Sequence, residues 1–162
     1  MQFRVGLGYD SHRFALDRPL VIGGIRIPFE KGLAAHSDGD VLIHAICDAL
    51  LGAAALKDIG THFPDNDHQF QNIDSKLLLE KVVDLIQEKG WSVNNLDCTL
   101  ILEEPKMKPY IDPMVETLAP LLHLNPDSLS IKAKTNEKMG FTGQKEGVAA
   151  MAIVSLIKGG ES

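Results

Sequence analysis

The chain has 162 residues, 44% of them hydrophobic, enough to bury one core of ordinary size, and this predicts a single domain over 1–162. Its 22 acidic and 16 basic residues leave a net charge of −6 with no basic run or stripe, which argues against nucleic acid as a partner. No apolar run reaches membrane-spanning length, and no charged segment followed by an apolar one opens the chain, so neither a membrane partner nor a secretory leader is expected.

The first predicted element is a strand. Phe3, Val5, Leu7 and Tyr9 alternate with Gln2, Arg4, Gly6 and Gly8, the period of a half-buried strand, and the apolar alternation ends where Asp10 and His12 continue the second face. A carboxylate and an imidazole projecting side by side share one metal ion or pair with each other, and D-x-H alone does not separate the two. In "PLVIGGIRIPFE" Gly23 and Gly24 stand between two short β-branched runs and predict a hairpin, the glycines supplying the positive φ of a tight turn. From Ser37 onward Val41, Leu42, Ala45, Ile46, Ala49, Leu50 and Ala53 recur at helical spacing and predict the core helix, with Ser37, Asp38 or Asp40 as its cap. "SKLLLEKVVDLIQEKG" predicts a second amphipathic helix closed by Gly90, and Leu96, Cys98, Leu100 and Leu102 then alternate as a strand. Tyr110 to Leu122 reads as a third helix despite Pro113 and Pro120. "SIKAK" and "GVAAMAIVSLIK" read as final strands, the second equally compatible with a buried helix. Cys47 in the core helix and Cys98 in a strand are too few for a disulfide scaffold and predict free buried thiols in a reducing, cytoplasmic compartment, or a plastid stroma after processing. Together these elements predict an α+β (α/β layered) domain: a mixed β-sheet covered by helices on one face.

Several polar groups interrupt this pattern. Asp40, His44 and Asp48 stand at i, i+4 and i+8 along one side of the apolar core helix. With Asp10 and His12, His44 completes two imidazoles and one carboxylate, donors that suit zinc or another first-row divalent metal and leave a coordination position open for catalysis. Asp48 then either accepts the remaining N–H of a ligating imidazole or simply pairs with His44 along the helix. His36 and Ser37 lie at the mouth of the same helix, where free N–H groups favour an anion, or where they form an ordinary cap. "DIGTHFPDNDHQF" gathers Asp58, His62, Asp65, Asp67 and His68 in one loop, as ligand contacts or as turn formers. "EEPKMKP" and "KAKTNEKMGFTG" each follow an apolar strand, and Lys134, Thr135 and Glu137 suit a phosphate with its magnesium ion although Walker glycine spacing is absent.

"GYDSHRF", "AHSDGDVLIHAICDALLGAAALKDIGTHFPD", "EEPKMKP" and "KTNEKMGFTG", in this order and spacing, give a chain that from about Gly8 to Lys158 resembles the 2-C-methyl-D-erythritol 2,4-cyclodiphosphate synthases of non-mevalonate isoprenoid biosynthesis. The resemblance implies a homotrimer with active sites between subunits, a cytidine-diphosphate substrate, and closure of 4-diphosphocytidyl-2-C-methyl-D-erythritol 2-phosphate to the cyclic diphosphate with loss of CMP. It implies zinc at Asp10, His12 and His44, and magnesium or manganese with the diphosphate at Glu137. His36 and Thr135 fall at positions of transition-state stabilisation. Asp10, Ser11, His12, His36 and Ser37 match substrate contacts, as do Asp58, Ile59 and Gly60 with Phe63, Pro64, Asp65, Asn66 and Asp67 around the erythritol. Leu102, Glu103, Glu104, Pro105, Lys106, Met107 and Lys108, then Lys134, Thr135, Asn136 and Glu137, match the cytidine and diphosphate pocket; Phe141 and Gln144 match further contacts. The family often has Arg where this chain has Gln144, which puts in doubt the binding of an isoprenoid diphosphate on the trimer axis. Two rival readings remain open, a metal-dependent hydrolase using the same triad and a non-catalytic trimeric ligand carrier.

Overall fold

Alternation over the first fifteen residues makes a strand, β1 (Gln2–Ala15), that runs through Asp10 and His12 instead of ending at them. The computed structural model describes residues 1–64 and 66–159. The reason for the longer strand is a partner: β7 (Gly147–Lys158) pairs antiparallel with β1 from Gln2 opposite Lys158 to Arg13 opposite Gly147, so the ladder supports the backbone on past the apolar residues. The same ladder settles β7 as a strand and not a buried helix. On its other side β7 pairs antiparallel with β5 (Ser92–Ile101), which pairs in parallel with β6 (Leu129–Lys134). With β4 (Gly32–Leu33) on the outer edge of β1, the order is β4-β1-β7-β5-β6, a mixed sheet in an α+β fold. Gly23 and Gly24, both at positive φ, turn the separate hairpin of β2 (Leu20–Ile22) and β3 (Ile25–Ile27).

The core helix is α1 (Val41–Ala53), and among the three candidate caps it is Asp40 that caps it. Asp40 is fully buried, and its carboxylate accepts from Ile43 N at 3.0 Å, Gly23 N at 2.9 Å and Gly24 N at 2.7 Å, so one side chain starts the helix and ties the hairpin to it. Helix α1 lies on β1 and β7, with α3 (Ser75–Glu88) packed beside it and α4 (Ile111–Leu121) reaching β6. Contact with β1 is made backbone to backbone: a Cβ on Gly8 would stand 1.8 Å from Ala45 O, and one on Gly6 2.0 Å from Ala49 O. Two strand residues advance about 6.8 Å and four helix residues about 6 Å. The glycine face of β1 therefore keeps step with the Ala45, Ala49, Ala53 face of α1.

This contact corrects the expectation for the first strand. Its alternation is as read, but the face under the helix is the glycine face; Phe3, Val5, Leu7 and Tyr9 point away and are 49–67% exposed. Met151 and Ile153 of β7 open to the same side. The core proper lies between the sheet and α1, α3 and α4, built from residues such as Leu42, Ile46, Leu50, Leu79, Leu96 and Val154. Cys47 and Cys98 are buried there as free thiols. Among the described residues no helix is long and apolar enough to cross a membrane.

Candidate active site

The contact between β1 and α1 that places Gly8 on Ala45 places the next residue of that face, Asp10, beside His44, the helix residue just before Ala45. Asp10 Oδ2 lies 2.8 Å from His12 Nε2 and 3.1 Å from His44 Nδ1, and the two nitrogens are 3.2 Å apart. All three side chains are part-buried, and they are the one group of three potential ligands found among the described residues. The edge of a tetrahedron with metal bonds of about 2.0–2.1 Å is about 3.3 Å, so this triangle fits a divalent ion after opening by a few tenths of an ångström. Burial pushes the Asp10 carboxyl up, but hydrogen bonds and charge from His12 and His44 outweigh it and hold the pKa at about 2. Burial pushes His44 down, and Asp10, with Asp40 and Asp38 behind it, outweighs that and raises it above the ordinary imidazole value. The open side of the triad faces a cavity of about 680 Å³, and a metal ion held there would displace the proton that His44 retains.

That cavity gathers several of the sequence candidates. His36, Ser37, Asp48, Ile59, Gly60 and Phe63 line it with the triad. Ser11 does not, because a strand alternates and Ser11 stands on the opposite face of β1 from Asp10 and His12. Asp58 caps the short helix α2 (Ile59–His62), accepting from Thr61 N at 2.9 Å and Thr61 Oγ1 at 2.7 Å. Asp67 caps the turn at His68–Phe70, accepting from Gln69 N at 3.1 Å. Pro64 and Asn66 are exposed, and Asp65 lies outside the described residues. Asp48, expected to accept from an imidazole or pair with His44, instead accepts from Ile59 N at 2.8 Å and so anchors α2 to α1; burial pushes its carboxyl up. The second nitrogen of His44 is met elsewhere: Nε2 lies 3.1 Å from Ser75 Oγ and 3.2 Å from Ser37 Oγ.

A second cavity of about 380 Å³ is lined by Leu102, Glu103, Pro105, Lys106, Met107, Lys108, Lys134 and Thr135. It shares no lining residue with the first. Both lie toward one end of the sheet, since Asp10 and Leu100 flank the same residue of β7, Ala150. Glu103 holds the following loop, accepting from Asn136 N at 3.0 Å and Lys138 N at 3.2 Å, and Thr135 Oγ1 donates to Glu137 Oε1 at 3.0 Å. Glu104 turns away to Lys145 Nζ at 2.6 Å, whose hydrogen bond and charge hold the carboxyl below the usual range. Lys145 sits at positive φ just after the short helix α5 (Gly140–Gly143), in which Phe141 is half-exposed. Gln144 caps that helix and donates from Nε2 to Lys138 O at 2.5 Å.

The profile of the YgbB family matches residues 3–157. The chain belongs to the YgbB family. Among its relatives, the 2-C-methyl-D-erythritol 2,4-cyclodiphosphate synthase of Clostridium botulinum is 57% identical over 153 residues, which is 94% of this chain and 99% of that one. The enzyme of the same name from Bacillus cytotoxicus is 53% identical over 156 residues, 96% of this chain and 99% of that one. A solved 2C-methyl-D-erythritol-2,4-cyclodiphosphate synthase in its CDP-bound form, 37% identical, superimposes with a TM-score of 0.88 over 95% of this chain and 100% of its own.

Three residues of this YgbB-family site are missed by sequence reasoning. Arg18 lines the larger cavity and donates to Ala35 O at 2.6 Å and Ser37 O at 2.7 Å, fixing the segment that carries His36. It lies in a turn after β1, where an arginine gives no pattern to read. Ser75 reaches His44 from the start of α3 and is itself held by Asp38 just ahead of α1, positions at which a hydroxyl and a carboxylate read as caps.

Proposed function

We propose that this chain catalyses an intramolecular, metal-dependent phosphoryl transfer that closes 4-diphosphocytidyl-2-C-methyl-D-erythritol 2-phosphate to 2-C-methyl-D-erythritol 2,4-cyclodiphosphate and releases CMP, a step of non-mevalonate isoprenoid biosynthesis. One observation carries the reading: an Asp–His–His triad opens into a cavity of substrate size, in a chain more than half identical along its length to synthases of that name. An oxygen of the 2-phosphate forms the new bond to the β-phosphorus, and the bond from that phosphorus to the CMP oxygen breaks, so no side chain has to act as nucleophile. The protein has to fold one substrate on itself and neutralise its charge.

We assign the methylerythritol phosphate to the larger cavity, where Ile59, Gly60 and Phe63 offer apolar and backbone surface and Arg18 offers positive charge. We assign the cytidine diphosphate to the smaller one, between the Leu102–Lys108 segment and Lys134, a reading supported by the CDP in the related structure. His36 and Thr135 are assigned to donate hydrogen bonds to the phosphoryl oxygens as charge builds. When bound, a zinc ion at Asp10, His12 and His44 and a magnesium or manganese ion at Glu137 would supply Lewis-acid and charge-neutralising chemistry. A homotrimer is the assembly we infer, with the larger cavity of one subunit completed by the smaller cavity of its neighbour. It is supported by the exposed apolar strip of β1 and β7, larger in character than scattered surface residues, and by two cavities that share no wall. One domain carries the activity, and two free thiols favour a reducing compartment such as the cytoplasm.

Incubation of the protein with the named substrate, zinc and magnesium, followed by phosphorus NMR, tests the proposal. CMP with a cyclic diphosphate is expected, and loss of both products after chelation. CMP with 2-C-methyl-D-erythritol 2,4-bisphosphate, in which water has taken the place of the 2-phosphate oxygen, would make it a hydrolase, and no product from metal-loaded protein would make it a ligand carrier.

A further inference from the structure

Ser75 is fully buried in the first turn of α3, in a chain of contacts that the proposed chemistry does not use. A serine hydroxyl has a single proton, and here it is donated to Asp38 Oδ1. Asp38 Oδ2 accepts the backbone N–H of the same serine at 2.9 Å, and Asp38 Oδ1 also accepts from Asp40 N at 3.1 Å, so the carboxylate is locked between the starts of α1 and α3. With its proton committed, Ser75 Oγ presents lone pairs to His44 Nε2 at 3.1 Å and there it only accepts. The Ser75–His44 contact is therefore a hydrogen bond only when Nε2 carries the hydrogen. Ser37 Oγ, 3.2 Å from the same nitrogen, already accepts from Gly39 N at 3.2 Å and is placed to share that hydrogen. A ring protonated at Nε2 keeps its lone pair on Nδ1, the atom that faces Asp10 Oδ2 and His12 Nε2.

We propose that Ser75, held by Asp38, is a positioning residue that sets the tautomer and ring angle of His44 so that Nδ1 is ready to ligate metal. Outer partners of this kind fix ligating imidazoles in metal sites generally, usually through a carboxylate or carbonyl; here a buried hydroxyl stands between ring and carboxylate. The inference rests on the metal reading of the triad.

Two measurements on wild type, Ser75→Ala and Asp38→Asn test it. In competition with a chromophoric zinc chelator, Ser75→Ala is expected to bind zinc about 10- to 100-fold more weakly, with Asp38→Asn shifted in the same direction. In nitrogen-15-resolved spectra of the zinc-loaded proteins, the His44 Nε2–H proton is expected to move upfield in Ser75→Ala, the signature of a lost hydrogen-bond acceptor at that nitrogen. Unchanged zinc affinity and an unchanged Nε2–H resonance in both variants would overturn the relay and leave the metal reading standing. Failure of the wild-type protein to take up zinc would overturn the metal reading and the relay with it.

Discussion

Asp40 shows how much one side chain organises: its two oxygens receive three backbone N–H groups from a helix start and a hairpin turn. An amide in its place turns an N–H2 group toward at least one of those donors, which is left unpaired in a buried site. Asp40→Asn is therefore expected to lose about 1–3 kcal/mol, read from the midpoint of chemical denaturation; an unchanged midpoint would show that the hairpin does not depend on this carboxylate. The triad makes a pH prediction with two opposed signs. His44 is raised above its ordinary value, so in the metal-free protein its contribution to stability is full below the unfolded imidazole value and is lost as the pH rises through the raised one. Asp10, held at about 2, contributes above the carboxylate range and loses that contribution only as the pH falls toward 2, so it is constant across the neutral range. Metal must displace the His44 proton and behaves in the reverse sense. From about pH 8 to about pH 6, zinc retention against a fixed chelator is expected to fall while metal-free stability rises. Parallel trends would show that His44 is not the group being exchanged.

The two layers of the fold are joined where strand and helix backbones touch, and glycine decides this at particular positions. At Gly8 an added methyl meets the Ala45 carbonyl at 1.8 Å, and a backbone group in the middle of α1 cannot yield locally. Gly8→Ala is expected to lift α1 from β1, with a loss of at least about 1–3 kcal/mol and weaker zinc binding, since Asp10 and His44 are set by the same contact. Gly52, on the exposed side of α1 with no atom within 4 Å of its would-be Cβ, is the control: Gly52→Ala is expected to stabilise by about 0.5–1 kcal/mol. Thermal denaturation of both variants checks the pair, and similar shifts in the two would refute the close-contact account. Much of this level is legible in the sequence. The helical spacing of Val41 to Ala53, the double glycine of the hairpin and the alternation of Leu96 to Leu102 each translate into the observed element, because each signal is local. The end of β1 and the identity of β7 are not, because a ladder between residues 2–13 and 147–158 determines both.

At the scale of the whole molecule, no helix among the described residues covers the sheet face that carries Phe3, Val5, Leu7, Tyr9, Met151 and Ile153, which are 42–67% exposed. If neighbouring subunits cover it, as the proposed trimer requires, Leu7→Glu buries a carboxylate between subunits. It is expected to yield smaller species in sedimentation velocity and to abolish turnover, with the subunit's own helical spectrum kept; an active monomer would refute both the assembly and the shared site. The sequence alone determined the order of the main elements as far as β6, the layered α+β class, the three residues that meet as the triad and the family of the chain, since composition, period and motif spacing are properties of neighbours along the chain. Tertiary structure decided which face of β1 is covered, because glycine rather than the larger apolar residues lets a helix approach. It also decided that Asp48 serves α2 while Ser75 and Asp38 serve His44, because hydrogen-bond partners are chosen by distance and direction in space, and residues 31 positions apart along the chain meet only after α1 and α3 pack side by side.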